Sequence, residues 1–175
     1  LGEPVMVTSR DEGMALQHDP PRIAFGPGRW GLLAVRYFDR SDPMAAAQAV
    51  VYEVDRDGGA LGIAHVLDGP PIPDPSAASP EAYDLEYAEG RWAVALGGSG
   101  LGGPTRESFP RLYDRDFVPD GPWTPTRATS MPASVARLTV GDHWVAAASL
   151  GGSISLAPFG AAAPGSELAI MAHDH

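Results

Sequence analysis

Apolar positions along the chain come in short alternating bursts that end at glycine. Ile23-Ala-Phe25 runs into Gly26-Pro-Gly-Arg and then Trp30-Gly-Leu-Leu-Ala-Val35. Leu85-Glu-Tyr-Ala88 runs into Glu89-Gly-Arg and then Trp92-Ala-Val-Ala-Leu96. Val135-Ala-Arg-Leu-Thr-Val140 runs into Gly141-Asp-His and then Trp144-Val-Ala-Ala-Ala148. Period-two apolar runs broken by a glycine turn predict β-hairpins. The three Trp residues sit at one position of this pattern, 62 and 52 residues apart. A hairpin recurring at that interval is the mark of a repeat architecture.

Two further strands follow each hairpin. After Trp30 come Ala49–Val54, an Asp55-Arg-Asp-Gly-Gly59 turn, and Ala60–Leu67. After Trp92 come Pro110–Val118, a Pro119-Asp-Gly121 turn, and Pro122–Thr129. After Trp144 come Ser153–Ala157 and, beyond a Gly/Pro/Ala turn, Leu168–Ala172. Each unit thus carries four strands, a to d, and the units span residues 10–67, 68–130 and 131–172. Residues 2–9 read as the outer strand of a preceding unit. Met44–Val51 favours helix by its alanines, for one turn at most before the strand pattern resumes.

Four strands per unit at about 40–60 residues is the period of β-propeller blades. The chain resembles bacterial β-propeller repeat proteins whose blades read Pro-x-apolar-Ala, then Gly-x-Trp-apolar-Val. Pro21 to Val35 is the fullest match; the second unit has Glu81-Ala-Tyr-Asp84 in place of the proline start. The resemblance implies an all-β fold of three four-stranded antiparallel blades and a scaffold or recognition role. A β-sandwich, serving as a structural subunit of a larger particle, is the alternative fold. Closed propellers need about four to eight blades. Three units therefore imply a protein partner or a second copy that completes the ring.

Composition narrows the partners. The 175 residues carry a net charge of −10 and twelve cations, all Arg. That balance disfavours nucleic acid, whose phosphates reward clustered cations. No apolar run approaches the roughly 18 residues of a membrane helix. There is no Cys, so disulfides and thiolate metal sites are excluded. The chain opens at Leu1 without an initiating Met, so no targeting segment is read from it. The expected setting is secreted, periplasmic or cell-surface.

Blade topology sorts the loops. The b–c and d–a connections share one rim, and the longest stretches, 10–20, 36–48, 68–82 and 97–109, fall there. Binding residues concentrate on loops held by a rigid scaffold. The expected ligand-binding set on that rim is Asp19, Arg36, Tyr37, Asp39, Arg40, Asp84 and Arg106. Carboxylates mixed with Arg and Tyr suit a small ligand, a glycan or a basic peptide. A sugar-binding or calcium-dependent hydrolase propeller, completed by other blades, is the enzymatic alternative, yet no catalytic residue stands out.

Other motifs have plainer readings. Asp55-Arg-Asp57-Gly58 has the alternating carboxylates of a calcium loop, but no Glu closes twelve residues, so it reads as a hairpin turn. Calcium clipped in that turn, or in the equivalent Asp114, Asp116 and Asp120, is the minority reading, and no other cofactor is expected. His173 and His175, at i and i+2, are weak metal candidates at the chain end. Trp30, Trp92 and Trp144 read as core between units. Trp123, flanked by Pro122 and Thr124-Pro125, is expected to be exposed or at an edge.

Overall fold

The computed structural model describes residues 15–16, 21–37, 47–58, 61–69, 79–99, 107–124, 134–138, 143–150, 153–159 and 168–171. Among them all regular structure is β-strand. The first sheet holds β1 (Ala15–Leu16), β2 (Arg22–Phe25), β3 (Arg29–Tyr37), β4 (Ala47–Asp55) and β5 (Leu61–Val66). The second holds β6 (Ser79–Ala88), β7 (Arg91–Ser99), β8 (Glu107–Tyr113) and β9 (Pro119–Asp120). The third holds β10 (Ser134–Leu138), β11 (His143–Leu150), β12 (Ser153–Phe159) and β13 (Leu168–Met171). Every pairing is antiparallel, and each sheet follows chain order. In the first sheet β1 and β2 both pair with β3, at opposite ends, and together fill strand a.

Turn chemistry sets these registers. The β6–β7 loop is two residues, Glu89 and Gly90, with φ of 51° and 80°. Two consecutive positive φ values give the twist a tight hairpin requires, and glycine supplies one without a steric penalty. The turn after β4 is tied by Gly58 N–H donating to the Asp55 carbonyl at 3.0 Å.

Several boundaries differ from the sequence reading, three of them with a plain cause. Ala47–Val51 is strand, because its alternate positions Ala49 and Val51 face a core. The β7 strand runs through Gly97 and Gly98 to Ser99, paired with Ser108 and Glu107, so ladder hydrogen bonds override the loop-like glycines. Strand c of the second unit ends at Tyr113, and its turn is Asp114–Val118, not Pro119–Gly121. The Asp114 carboxylate causes the early turn. Its Oδ1 accepts from the backbone N–H of Asp116 at 2.9 Å and of Val118 at 2.8 Å, which is an Asx-type closure. Residues 2–9 lie outside the described residues.

The three sheets stack in chain order. On β7, Trp92, Val94 and Leu96 pack with Leu33, Val35, Ala49 and Val51 of the first sheet. The intervening Ala93 and Ala95 pack with Trp144, Ala146 and Phe159 of the third. The period-two alternation therefore buries both faces of the second sheet, large residues one way and alanines the other. A third cluster, Ala34, Val50 and Tyr52, lies on the opposite face of the first sheet.

Trp92 is fully buried, and its seat is cut by glycine. A Cβ on Gly26 would collide with the six-membered ring of Trp92, and one on Gly31 would come within 3.0 Å of it. Gly26→Ala should therefore lower stability by about 1–3 kcal/mol through overpacking. Gly69→Ala, which meets no atom within 4 Å, should change it by about 0.5 kcal/mol or less. Urea unfolding of both variants checks the contrast.

Candidate functional site

The second sheet's Asp114–Val118 turn leans over the first sheet's short-turn rim, and a polar network forms beneath it. Phe117, held at φ 60°, inserts its ring between Trp92 and His65, with centroids 4.8 Å from each. The Arg115 carbonyl accepts from Trp92 Nε1 at 3.3 Å and from Arg29 Nη2 at 2.6 Å. Arg29 Nη1 reaches Glu53 Oε2 at 3.1 Å, and Glu53 Oε1 lies 2.6 Å from His65 Nε2. Asp116 adds a longer pairing to Arg29 at 3.6 Å.

Glu53 is the buried charged residue of this rim, at 7% exposure. It alternates along β4 with Val54 and Tyr52 and so shares the face of Val51 and Ala49. A charge taken from water needs a close counter-charge and satisfied oxygens, and Arg29 with His65 supplies both. Beside it opens a cleft of about 280 Å³ lined by Pro27, Gly28, Arg29, Glu53, Val54, Asp55 and Gly62. Chemically the arrangement is a carboxylate clamped by two donors. Glu53 and both its donors belong to the first sheet, and Arg29 carries the network across to the second through the Arg115 carbonyl and Asp116.

A second latch closes the other side of the same interface. Arg111 stacks over Tyr113 and Trp123, 5.5 and 5.3 Å from their centroids. Its Nη1 meets Asp68 Oδ2 at 2.7 Å, and its Nε donates to the Gly121 carbonyl at 2.7 Å. Trp123 Nε1 donates to the Asp68 carbonyl at 3.2 Å. Trp123 is buried at 9% exposure, which corrects the expectation of an exposed side chain, although it follows the edge strand β9. Thr124 N–H still bonds the Pro110 carbonyl, so the chain here hugs β8 and carries the indole inward.

The expected ligand set is only partly placed. Asp19, Asp39, Arg40, Arg106, His173 and His175 lie outside the described residues. Arg36 and Tyr37 are the last residues of β3, paired with Gln48 and Ala47 of β4 and with Leu16 and Ala15 of β1, so they lie in the sheet and not in a 36–48 loop. Asp84 is a half-buried residue inside β6, next to a register shift between Ala82 and Asp84. Its Oδ1 accepts from Leu85 N–H at 3.0 Å, so it sits in the sheet and not on a rim loop. Among the described residues no three His, Asp or Glu side chains gather as a metal site.

Sequence reasoning missed the Glu53 latch, although one signal was present. Asp-Arg-Asp occurs at 55–57 and 114–116, and in both turns the middle carbonyl receives the indole N–H of the unit's own Trp. Trp30 Nε1 donates to Arg56 O at 3.1 Å, and Trp92 Nε1 to Arg115 O. The residue before each Trp also pairs with its own sheet, Arg29 with Glu53 and Arg91 with Asp120 at 3.2 Å.

Two variants test the latches. Glu53→Ala leaves Arg29 and His65 without their shared acceptor and should cost about 2–4 kcal/mol, read as a lowered urea midpoint at unchanged slope. Burial pushes the Tyr113 phenol well above its ordinary 10.0, against the opposing pull of nearby Arg111. The unfolded chain then ionises near pH 10 while the folded phenol stays neutral, so this contribution to stability is whole below pH 10 and shrinks above it. The Tyr113 hydroxyl is buried without a hydrogen-bond partner. Tyr113→Phe should therefore be neutral or stabilising at pH 7 and should lose less stability than the parent between pH 9 and 11 in thermal melts.

Comparison with protein-family models, with curated proteins and with solved structures finds no match, so the resemblance of the Trp hairpins to propeller repeats rests on this chain's own residues.

Proposed function

We propose that the chain is a non-catalytic β-propeller segment that works as a scaffold or recognition module, completed by further blades and binding its partner on the long-loop rim. The second sheet carries this reading. It is buried on both faces, by the first sheet against Trp92, Val94 and Leu96 and by the third against Ala93 and Ala95. A two-layer sandwich gives each sheet one core face and one wet face. Serial burial of one meander between two others suits blades arranged around an axis.

The longer connections of one rim support a binding role. Charged groups on the short-turn rim are engaged in holding sheet to sheet. The long-loop rim, where Asp68 anchors Arg111 and Trp123 at the start of the 68–82 stretch, is where a ligand or protein would be met. An acidic total charge directs that surface toward cationic or neutral partners.

Electron cryomicroscopy of the assembled particle is expected to give class averages of radial sheets around a central axis. A two-layer block would overturn the propeller reading. A turnover signal on a broad hydrolase substrate panel, abolished by substituting rim residues, would overturn the non-catalytic part.

A further inference from the structure

An Asp followed by Gly is a weak point of a protein chain, because a glycine amide has no side chain to bar the approach of the preceding carboxyl group. The chain holds three such pairs, Asp57-Gly58, Asp68-Gly69 and Asp120-Gly121. All three lie among the described residues, and each glycine has open space where a Cβ would stand. Crowding therefore does not separate them. The partners of the carboxylates do.

Asp68 and Asp120 are tied. Asp68 Oδ2 lies 2.7 Å from Arg111 Nη1, and the Asp68 carbonyl accepts from Trp123 Nε1. Asp120 Oδ2 lies 3.2 Å from Arg91 Nη1, and Asp120 pairs with Leu112 in the sheet. Each ion pair must break before the carboxyl carbon can swing to the next amide. Asp57 is exposed in the turn between β4 and β5, and among the described residues its carboxylate has neither an ion pair nor a hydrogen bond. The restraint here is on the amide, since Gly58 N–H donates to the Asp55 carbonyl at 3.0 Å. That bond closes an exposed turn, and such turns open locally at far lower cost than a sheet unfolds.

We propose that Asp57 is a spontaneous modification site, where the carboxyl group condenses with the Gly58 amide and reopens as isoaspartate, so that the aged chain is a substrate for a protein-isoaspartate carboxyl methyltransferase. In the first step the Gly58 nitrogen forms a bond to Asp57 Cγ. Its proton leaves with the carboxyl hydroxyl as water, and a five-membered succinimide remains. In the second step water adds to one of the two ring carbonyls. Addition at the side-chain carbonyl restores Asp57; addition at the main-chain carbonyl leaves the peptide link running through Cβ. One water leaves and one enters, so the mass is unchanged and water is the only co-reactant.

The consequence falls on the first unit's Trp. The Arg56 carbonyl accepts from Trp30 Nε1 at 3.1 Å, and isoaspartate lengthens the main chain by one carbon just beyond it. The turn is re-aimed, and Trp30, half-buried beside Phe25 at 4.8 Å, loses its acceptor. The matching turn of the second unit is protected, because Asp116 is followed by Phe117 and not by glycine.

The test warms the 175-residue chain at pH 7, folded and in concentrated urea. Isoaspartate is then read with the methyltransferase and a labelled methyl donor, and assigned by peptide mass spectrometry. In the folded chain, isoaspartate at 57 is expected to exceed that at 68 or 120 by about fivefold, the weight of one surface ion pair. In urea the three sites should converge. Asp57→Glu removes no contact and would need a six-membered ring, so it should bring the folded-chain signal to background with unchanged near-ultraviolet circular dichroism. An even spread over the three sites in the folded chain overturns the proposal. So does isoaspartate at 57 that forms only in urea, or a signal that survives Asp57→Glu.

Discussion

The seating of Trp92 on the first sheet is the contact on which the described structure turns. Two glycines, Gly26 and Gly31, remove the side chains that would stand where the indole lies. Phe117 covers its other side in a stacked arrangement, 21° from parallel. The ring is thus enclosed by one sheet's backbone and another sheet's turn. Its N–H cannot be left dry in such a place without a penalty of about 1–3 kcal/mol, and the Arg115 carbonyl receives it. That same carbonyl receives Arg29 of the first sheet. One backbone oxygen therefore couples the aromatic seat to the Glu53 network.

The order of cause runs from sequence to turn to interface. Asp114 ends β8 early by capping two backbone N–H groups. Without that cap Phe117 would have little to hold it at positive φ, a conformation costly for a bulky residue. With it, Phe117 points down between His65 and Trp92 instead of continuing a strand. The turn is a lever, and the strain at Phe117 is balanced by aromatic contact on both of its faces. The same economy appears on β7. Large residues face the first sheet, and Ala93 with Ala95 leaves room for the larger Trp144 and Phe159 of the third. The second interface thus sets a small surface against a bulky one, which allows dense packing.

Much of this was legible from residue order, for local reasons. Hairpins show themselves because strand periodicity is two and glycine marks the turn, and β2–β3, β6–β7, β10–β11 and the β4–β5 turn follow the pattern closely. What stayed hidden depends on contacts distant in sequence. Trp123 sits among prolines and looks exposed, yet Asp68, 55 residues earlier, accepts its N–H and Arg111 stacks on it. Glu53 looks like an ordinary solvent-facing strand residue until Arg29 and His65 converge on it. Gly97 and Gly98 look like loop, but their partners Ser108 and Glu107 were fixed by the hydrophobic register of Leu96 with Phe109. Asp84 looks like a rim residue because the bulge that draws it into β6 has no signature of its own.

The distribution of charge decides which groups are committed to holding the sheets together. An ion pair held beneath a packed turn is a fastener, because opening it to admit a ligand strands Glu53 in a low-dielectric site. Arg29 faces Glu53 and Asp116, while Arg111 is gripped by Asp68 and two aromatic rings. Engaging either with a ligand would loosen the joint between the first and second sheets before any recognition energy was gained. Cohesion between the first and second sheets therefore draws on both ends of the strands, on Glu53 and Arg29 beneath the Asp114–Val118 turn and on Asp68 just beyond β5.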